Sequence, residues 1–288
     1  MSTQSTPQKP KATDATPDLA TQGASQRSRA EQQRPLQISV RELPAGASLR
    51  LGSPDLEHVV VIQEGRVVLH EEGMQTAPGE GFGVVGDRED VFTGRASAVR
   101  VPAGESIVFT AESEARVAVV SAPSTPPGIA SSKPRRTVTV VRPSDVISES
   151  RGTGHWMREV HDVVTAGDGP GPHLIVGETF SRGGVWSSFP PHRHAHDDGD
   201  RETRHAEAFQ VRIEPRSGFA VLLDYPDDAR SEAARVLHDG DVVEDATGFH
   251  SFAVAGGHEL YYLWALWGRE ANARFRTDVR HAWVEEVG

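Results

Sequence analysis

From Leu36 onward the chain is written in short runs of β-branched and aromatic residues cut by Gly, Pro and Asp, and that rhythm decides its fold class. Runs such as Val59-Val60-Val61-Ile62, Arg66-Val67-Val68-Leu69, Ala98-Val99-Arg100-Val101 and Arg116-Val117-Ala118-Val119-Val120 follow one another at turn-length spacing. None sustains a 3.6-residue apolar period beyond about two turns, so an all-β chain of antiparallel barrels or sandwiches is expected and a βαβ fold is not. The style repeats in His173 to Phe180, Glu207 to Ile213, Phe219 to Tyr225, Asp241 to Glu244 and Leu260 to Trp267. One short helix is expected near Ser231 to Val236.

The residues outside these runs set the domain plan. Residues 1–34 are Ser, Thr, Gln, Pro and Ala with hardly a large apolar side chain, too little to offset chain entropy, and read as a disordered tail. Residues 35–122 form a first barrel, the Ser/Pro/Gly-rich stretch 123–135 a linker, and 136–288 a second barrel. The halves echo each other: Val61 to Val68 resembles Arg212 to Val221, and Pro102 to Ser106 resembles Ala246 to His250. In that register Ser106 replaces His250 and Leu56 replaces Glu207, so the first barrel is expected to be a scaffold without metal.

Pro190-Pro191-His192-Arg193-His194 carries the chemistry. Histidines at i and i+2 on an extended strand project from one face, the geometry of two ligands on one ion. Downstream stand Glu207, at the head of an alternating run, and His250 within Gly248-Phe249-His250. Three imidazoles and a carboxylate suit a divalent transition metal with coordination positions left for substrate. Most of the 13 histidines, His70 and His258 among them, are ordinary surface or core residues. His196 and His205, in the acidic loop Ala195 to His205, rank below Glu207 as ligands.

Composition narrows the options. There is no cysteine, so disulfides, thiolate sites and cysteine nucleophiles are excluded, and the default compartment is a reducing cytoplasm. A net charge of −11 argues against nucleic acid as a partner. No apolar run nears the roughly 20 residues of a membrane span, and the N-terminus lacks signal-peptide character.

His192, His194, Glu207 and His250, with the strand Gly240-Asp241-Val242-Val243 before the last, resemble the cupin pattern. A narrower resemblance, to the 5-deoxyglucuronate isomerase family of myo-inositol catabolism, rests on Leu174 to Glu178, Gly184 to His194, Tyr225-Pro226-Asp227-Asp228, Leu260 to Leu263 and His281-Ala282-Trp283. It extends upstream through Asp87 to Phe92, Val101 to Gly104, Arg151-Gly152 and Arg158. That resemblance implies a bicupin that isomerises a deoxyuronic acid between aldose and ketose. It also implies one divalent ion on His192, His194, Glu207 and His250: zinc, with manganese, iron or cobalt as alternatives. Phe189 and Arg193 stand where the family usually has Tyr and Lys, and twelve residues, Ala195 to Ala206, separate His194 from Glu207 where cupins usually have three or four.

The proton-shuttling base is sought among Glu178, Tyr261 or Tyr262, and His161; Glu178 could instead pair with Arg158 or Arg182. One of the adjacent tyrosines faces the barrel interior and the other its outside. Arg158 and Arg212 are the candidates for the substrate carboxylate, since arginine binds carboxylates bidentately, although Arg212 is opposite in parity to Glu207. Trp186, Trp264 and Trp267 could wall the pocket. Two other readings compete: a cupin dioxygenase, which needs a redox metal, and a non-catalytic cupin that binds a sugar acid. The expectation as a whole is a cytoplasmic, homo-oligomeric isomerase with a small-molecule substrate.

Overall fold

The computed structural model describes residues 35–71, 82–124, 137–165, 174–227, 232–244, 246, 248–270 and 272–287. The expected tail, and 125–135 of the expected linker, lie outside them. Arg34–Gly288 is one compact unit, and the description concerns it alone.

The first strands are β1 (Gln37–Leu43), β2 (Ser48–Gly52), β3 (Leu56–Glu64), β4 (Val67–Glu71), β5 (Val84–Val85), β6 (Ser97–Val101), β7 (Ser106–Ala111), β8 (Ala115–Pro123) and β9 (Thr139–Val141). They form two antiparallel sheets, β1-β8-β3-β6-β9 and β2-β7-β4-β5. The second set is β10 (Ile147–Arg151), β11 (Arg158–Val164), β12 (Leu174–Arg182), β13 (Trp186–Arg193), β14 (His205–Glu214), β15 (Ala220–Tyr225), β16 (Ala233–Leu237), β17 (Val242–Val243), β18 (Phe249–Val254), β19 (Glu259–Gly268) and β20 (Arg276–Thr277), before a last helical turn, α1 (Val284–Val287). These make the sheets β10-β11-β12-β19-β14-β17 and β16-β15-β18-β13-β20.

Strand alternation explains how four sheets stack. On β3, Val60 and Ile62 join Ile107, Phe109 and Leu69 in a core between the two sheets of the first half. Val59 and Val61 point the other way, into a core shared with Leu174, Val176, Tyr261, Leu263 and Ala265 of the second half. On β14, Phe209, Val211 and Ile213 close a third core with Leu222, Phe252 and Tyr262. β3 is thus apolar on both faces, each buried Val or Ile contributing about 1.5–3 kcal/mol, and the two sandwiches meet through their inner sheets. The architecture is all-β and bicupin-like, as expected.

Three details correct the sequence reading. Pro123 is not linker but the last residue of β8, paired with Leu56, and Thr139–Val141 adds an edge strand to the first half, so the chain leaves that half only after Val141. Instead of a helix near Ser231 to Val236, Ala233–Leu237 is an edge strand on β15 that buries Leu237; pairing with a waiting strand outweighs the local preference of Ala and Arg for helix. Ser106 is not the counterpart of His250. Ile107, Phe109 and Ala111 face the first core as His250, Phe252 and Val254 face inward in the second, a one-residue slip that changes faces.

Candidate metal centre

The diproline strand does not run regularly. β13 pairs with β18 as Ser187↔Phe252 and then as His192↔His250, so four residues of β13 oppose one of β18. This bulge sets His192 beside His250, their ring centroids 4.7 Å apart. Arg193, between the histidines, points away and bonds buried Glu202, whose Oε1 accepts the backbone N–H groups of Ala195 and His196. His205 N donates to His194 O at 2.9 Å, closing the loop at its base. The long insertion is therefore a self-contained excursion that returns Glu207 to the site.

His194, Glu207 and His250 are buried, with ligand atoms within 4.8 Å of one another. Nδ1–H of His194 donates to His205 O and Nδ1–H of His250 to Gly248 O, both at 3.0 Å. Gly248 has no side chain because a Cβ there would stand 2.3 Å from Tyr225 O. Each Nε2 then turns toward the same Glu207 Oε2, at 2.7 Å from His194 and 3.1 Å from His250. Nε2 of His250 is buried without a hydrogen bond. In their neutral forms both histidines would aim a lone pair at a carboxylate oxygen, which is repulsive unless a cation stands among them. The donor set thus fits a divalent metal, with the carbonyl bonds orienting both rings.

The electrostatics agree. Burial disfavours ionised Glu207, but His250 and His194 outweigh it and hold the carboxyl well below the usual range. Burial, reinforced by neighbouring His250, pushes His192 well down, toward the neutral form that ligates. Burial also opposes a charge on His250, and Glu207 overcomes it to raise that pKa. His192 lies against this trio rather than within its tight grouping.

A cavity of about 270 Å³ opens over Glu207 and His192 and is lined also by Arg158, Tyr262, Ser188 and Trp264 among others. Of the residues the sequence singled out for catalysis, Arg158 and Tyr262 line this cavity. Glu178 does not: it lies on the other face of β12, where Arg88 forks onto it at 2.7 and 3.2 Å and Tyr261 donates to it at 2.9 Å. Arg212 is also on that far face, bonded to Glu64 and Asp239. His161 pairs with Glu178 across β11 and β12 and shares that face. His205 donates Nε2–H to Glu270 O, and His196 is exposed. Trp267 bonds Pro123 O in the core between the halves, and Trp186 is exposed.

Several cavity residues had no assigned role in the sequence reading. Arg151 and Trp156 line it, as do Phe275, Thr277 and Glu285 from the C-terminal segment. That segment is strapped across β13 by Thr277↔His192 and Arg276↔Arg193. It is pinned by Asp278, which accepts from Tyr225 at 2.8 Å and from Arg280. Only the motifs Tyr225-Pro226 and His281-Ala282-Trp283 flank this arrangement in the sequence.

Stacked antiparallel sandwiches with a His/Glu cluster at the mouth of one of them define a bicupin with a candidate metal centre. The chain belongs to the KduI/IolB family, which matches residues 11–284. It is 32% identical over 250 residues to the 5-deoxy-glucuronate isomerase of Geobacillus kaustophilus (strain HTA426), covering 86% of this chain and 85% of the relative. It is 26% identical over 254 residues to that of Bacillus subtilis (strain 168), covering 87% and 88%. Among solved structures, an IolB-like protein from Salmonella typhimurium LT2 superposes with a TM-score of 0.76 at 28% identity, covering 87% of this chain and 90% of that one. Lactobacillus farciminis oxalate decarboxylase, at 11% identity and a TM-score of 0.54, shares the fold.

Proposed function

We propose that this protein is a metal-dependent aldose-ketose isomerase converting 5-deoxy-D-glucuronate to 5-dehydro-2-deoxy-D-gluconate in myo-inositol catabolism. The observation that carries the reading is the buried trio His194, Glu207 and His250, whose Glu207 opens, with neighbouring His192, onto a cavity that also holds Arg158. The names of the relatives select the sugar acid. These four side chains would hold one divalent ion, zinc in our reading, and such an ion supplies Lewis acidity toward a carbonyl and its neighbouring hydroxyl. Arg158 receives the substrate carboxylate at the other end of the cavity, with Arg151 beside it on the paired strand. Aromatic walls from Phe209, Trp264 and Phe275 exclude water from the reacting carbons.

The first sandwich is a scaffold domain covering the outer face of the catalytic sheet. Among the described residues no helix is long and apolar enough to cross a membrane. Action in the cytoplasm as a homo-oligomer belongs to the same proposal. Incubating metal-loaded protein with 5-deoxy-D-glucuronate and following both sugars by NMR tests it: ketose signals should replace those of the aldose, and no turnover after reconstitution with zinc, manganese, iron or cobalt would reject it.

A further inference from the structure

Two adjacent tyrosines on β19 have opposite fates, and the inner one meets an arrangement that a regular strand cannot make. Tyr261 faces the first half. Tyr262 faces the cavity, its ring stacked on Phe252 at 4.5 Å and met edge-on by Phe209 at 5.8 Å, so the phenol is held in one place. Its oxygen lies 2.8 Å from Ser187 Oγ and 3.1 Å from Ser188 Oγ. Consecutive residues of a strand point to opposite faces, so one phenol should not reach both. It does because Ser188 has φ +53°, the sole non-glycine among the described residues in the left-handed region. Such a conformation costs on the order of 1 kcal/mol or more and collects at functional sites. It falls at the first residue of the β13 bulge, in the wall of the cavity.

The hydroxyls are also ordered in direction. Ser181 Oγ donates to Ser187 Oγ at 2.8 Å, which leaves the hydrogen of Ser187 for the phenol oxygen. Ser187 is itself held by Ser251, which donates to its carbonyl at 2.9 Å. Ser188 Oγ stands at the same oxygen, so the phenol is gripped by two hydroxyls at hydrogen-bond distance from the cavity wall. Arg158 adds positive charge within electrostatic reach of this oxygen. The other charged or titratable groups around the same cavity are Arg151, His192, Glu207 and Glu285. Behind the serines, Ser181 lines a second cavity of about 560 Å³ that opens on the side of Phe92 and Arg95.

We propose that Tyr262 is the acid–base group that carries the proton in the isomerisation, positioned by Ser187 and Ser188 and connected through Ser181 to the second cavity. The assignment rests on the isomerase reading above. The C–H bond next to the aldehyde breaks: its proton goes to the phenolate oxygen of Tyr262, and its electron pair forms the double bond of an enediolate. Tyr262 returns a proton to the former aldehyde carbon, while the neighbouring hydroxyl passes its own to the former carbonyl oxygen. Atoms balance, and no oxidant or reductant enters. While Tyr262 holds the proton, Ser187 and Ser181 offer it a path to water, so solvent hydrogen enters the product.

The test compares metal-loaded wild type, Tyr262→Phe and Ser187→Ala/Ser188→Ala, with metal content and melting temperature measured for each. Wild type in heavy water should place deuterium on the carbon that receives the proton. Tyr262→Phe should lose about 100-fold or more in kcat with its metal retained. In the double serine variant the phenol loses both positioning hydroxyls, so kcat should fall while KM, metal content and melting temperature hold; a merely structural role would lower the melting temperature along with the rate. A Tyr262→Phe enzyme within tenfold of wild type, or a serine variant with wild-type kcat, would overturn the assignment and leave the isomerase reading intact. Absence of turnover by wild type would remove both.

Discussion

The two sandwiches share a frame and differ at a few points. In the first, β2 pairs with β7 regularly, setting Leu51 opposite Ile107; in the second, β13 pairs with β18 so that His192 stands opposite His250. Leu56, the exposed first residue of β3, has the parity of inward-facing Val60 and Ile62, as Glu207, the third of β14, has that of Phe209 and Val211. Three donors in one half thus correspond to Leu, Leu and Ile in the other. What distinguishes a candidate metal centre from a hydrocarbon core here is not topology. It is the side chains at three inward positions, a bulge in one strand, and a C-terminal strap, through which Phe275 packs 5.0 Å from the ring of His192.

The largest expected effect comes from erasing that difference. Glu207→Leu, which copies Leu56, should abolish metal binding and isomerisation together. Retention of a stoichiometric ion by the folded variant would contradict that difference.

Next comes the seam between the halves. Arg88→Met leaves buried Glu178 without its cation, at a cost of about 3–5 kcal/mol. Glu178→Gln in the same chain should restore much of the loss, and urea unfolding of the single and double variants measures both. Metal content per folded molecule should stay at the wild-type level, since this pair lies on the far side of the sheet from the trio.

A smaller, more local contrast separates two arginines. Arg158→Ala should raise KM about 10–100-fold through loss of a charge-assisted carboxylate contact. Arg212→Ala should leave KM alone and lower stability, because Arg212 bonds Glu64 and Asp239. Steady-state kinetics on both variants decides the matter; a KM effect at Arg212 would contradict the assignment of faces.

The smallest effect concerns the strap. Burial opposes the charge on Asp278, but hydrogen bonds from Arg280 and Tyr225 bring its carboxyl down to about 2. A depressed folded-state pKa means that this contribution, about 1–2 kcal/mol, is complete above the unfolded range near 4 and is lost as pH falls toward 2. Asp278→Asn should flatten that part of the stability profile, as thermal melts between pH 5 and 2 would show.

These contrasts also show what can be read from sequence. The fold class was legible because short alternating runs and turn residues are local properties. The grouping of His194, Glu207 and His250 was legible because side-chain parity and order along the chain bring these donors to one face. Which face of β12 and β19 looks inward was not, since both faces are buried, one against each half; hence Glu178 and Arg212 were credited with roles belonging to Thr179 and Val211's face. Their true partners, Arg88 and Glu64, lie 90 and 148 residues away, beyond any local pattern. The Ser106 slip has a simpler origin: the turn before β18 is one residue shorter than the alignment assumed. Ser188 carried no signal at all, because its role depends on a backbone angle and not on its side chain.

The central claim, one divalent ion held in the second sandwich alone, is tested most directly by anomalous diffraction at the metal edge from crystals of the zinc-loaded protein. A single peak per chain is expected, within about 2.0–2.3 Å of a ring nitrogen of His192, Nε2 of His194, Nε2 of His250 and a carboxylate oxygen of Glu207. A peak in the first sandwich, or density at the trio explained by water at full zinc loading, would contradict it.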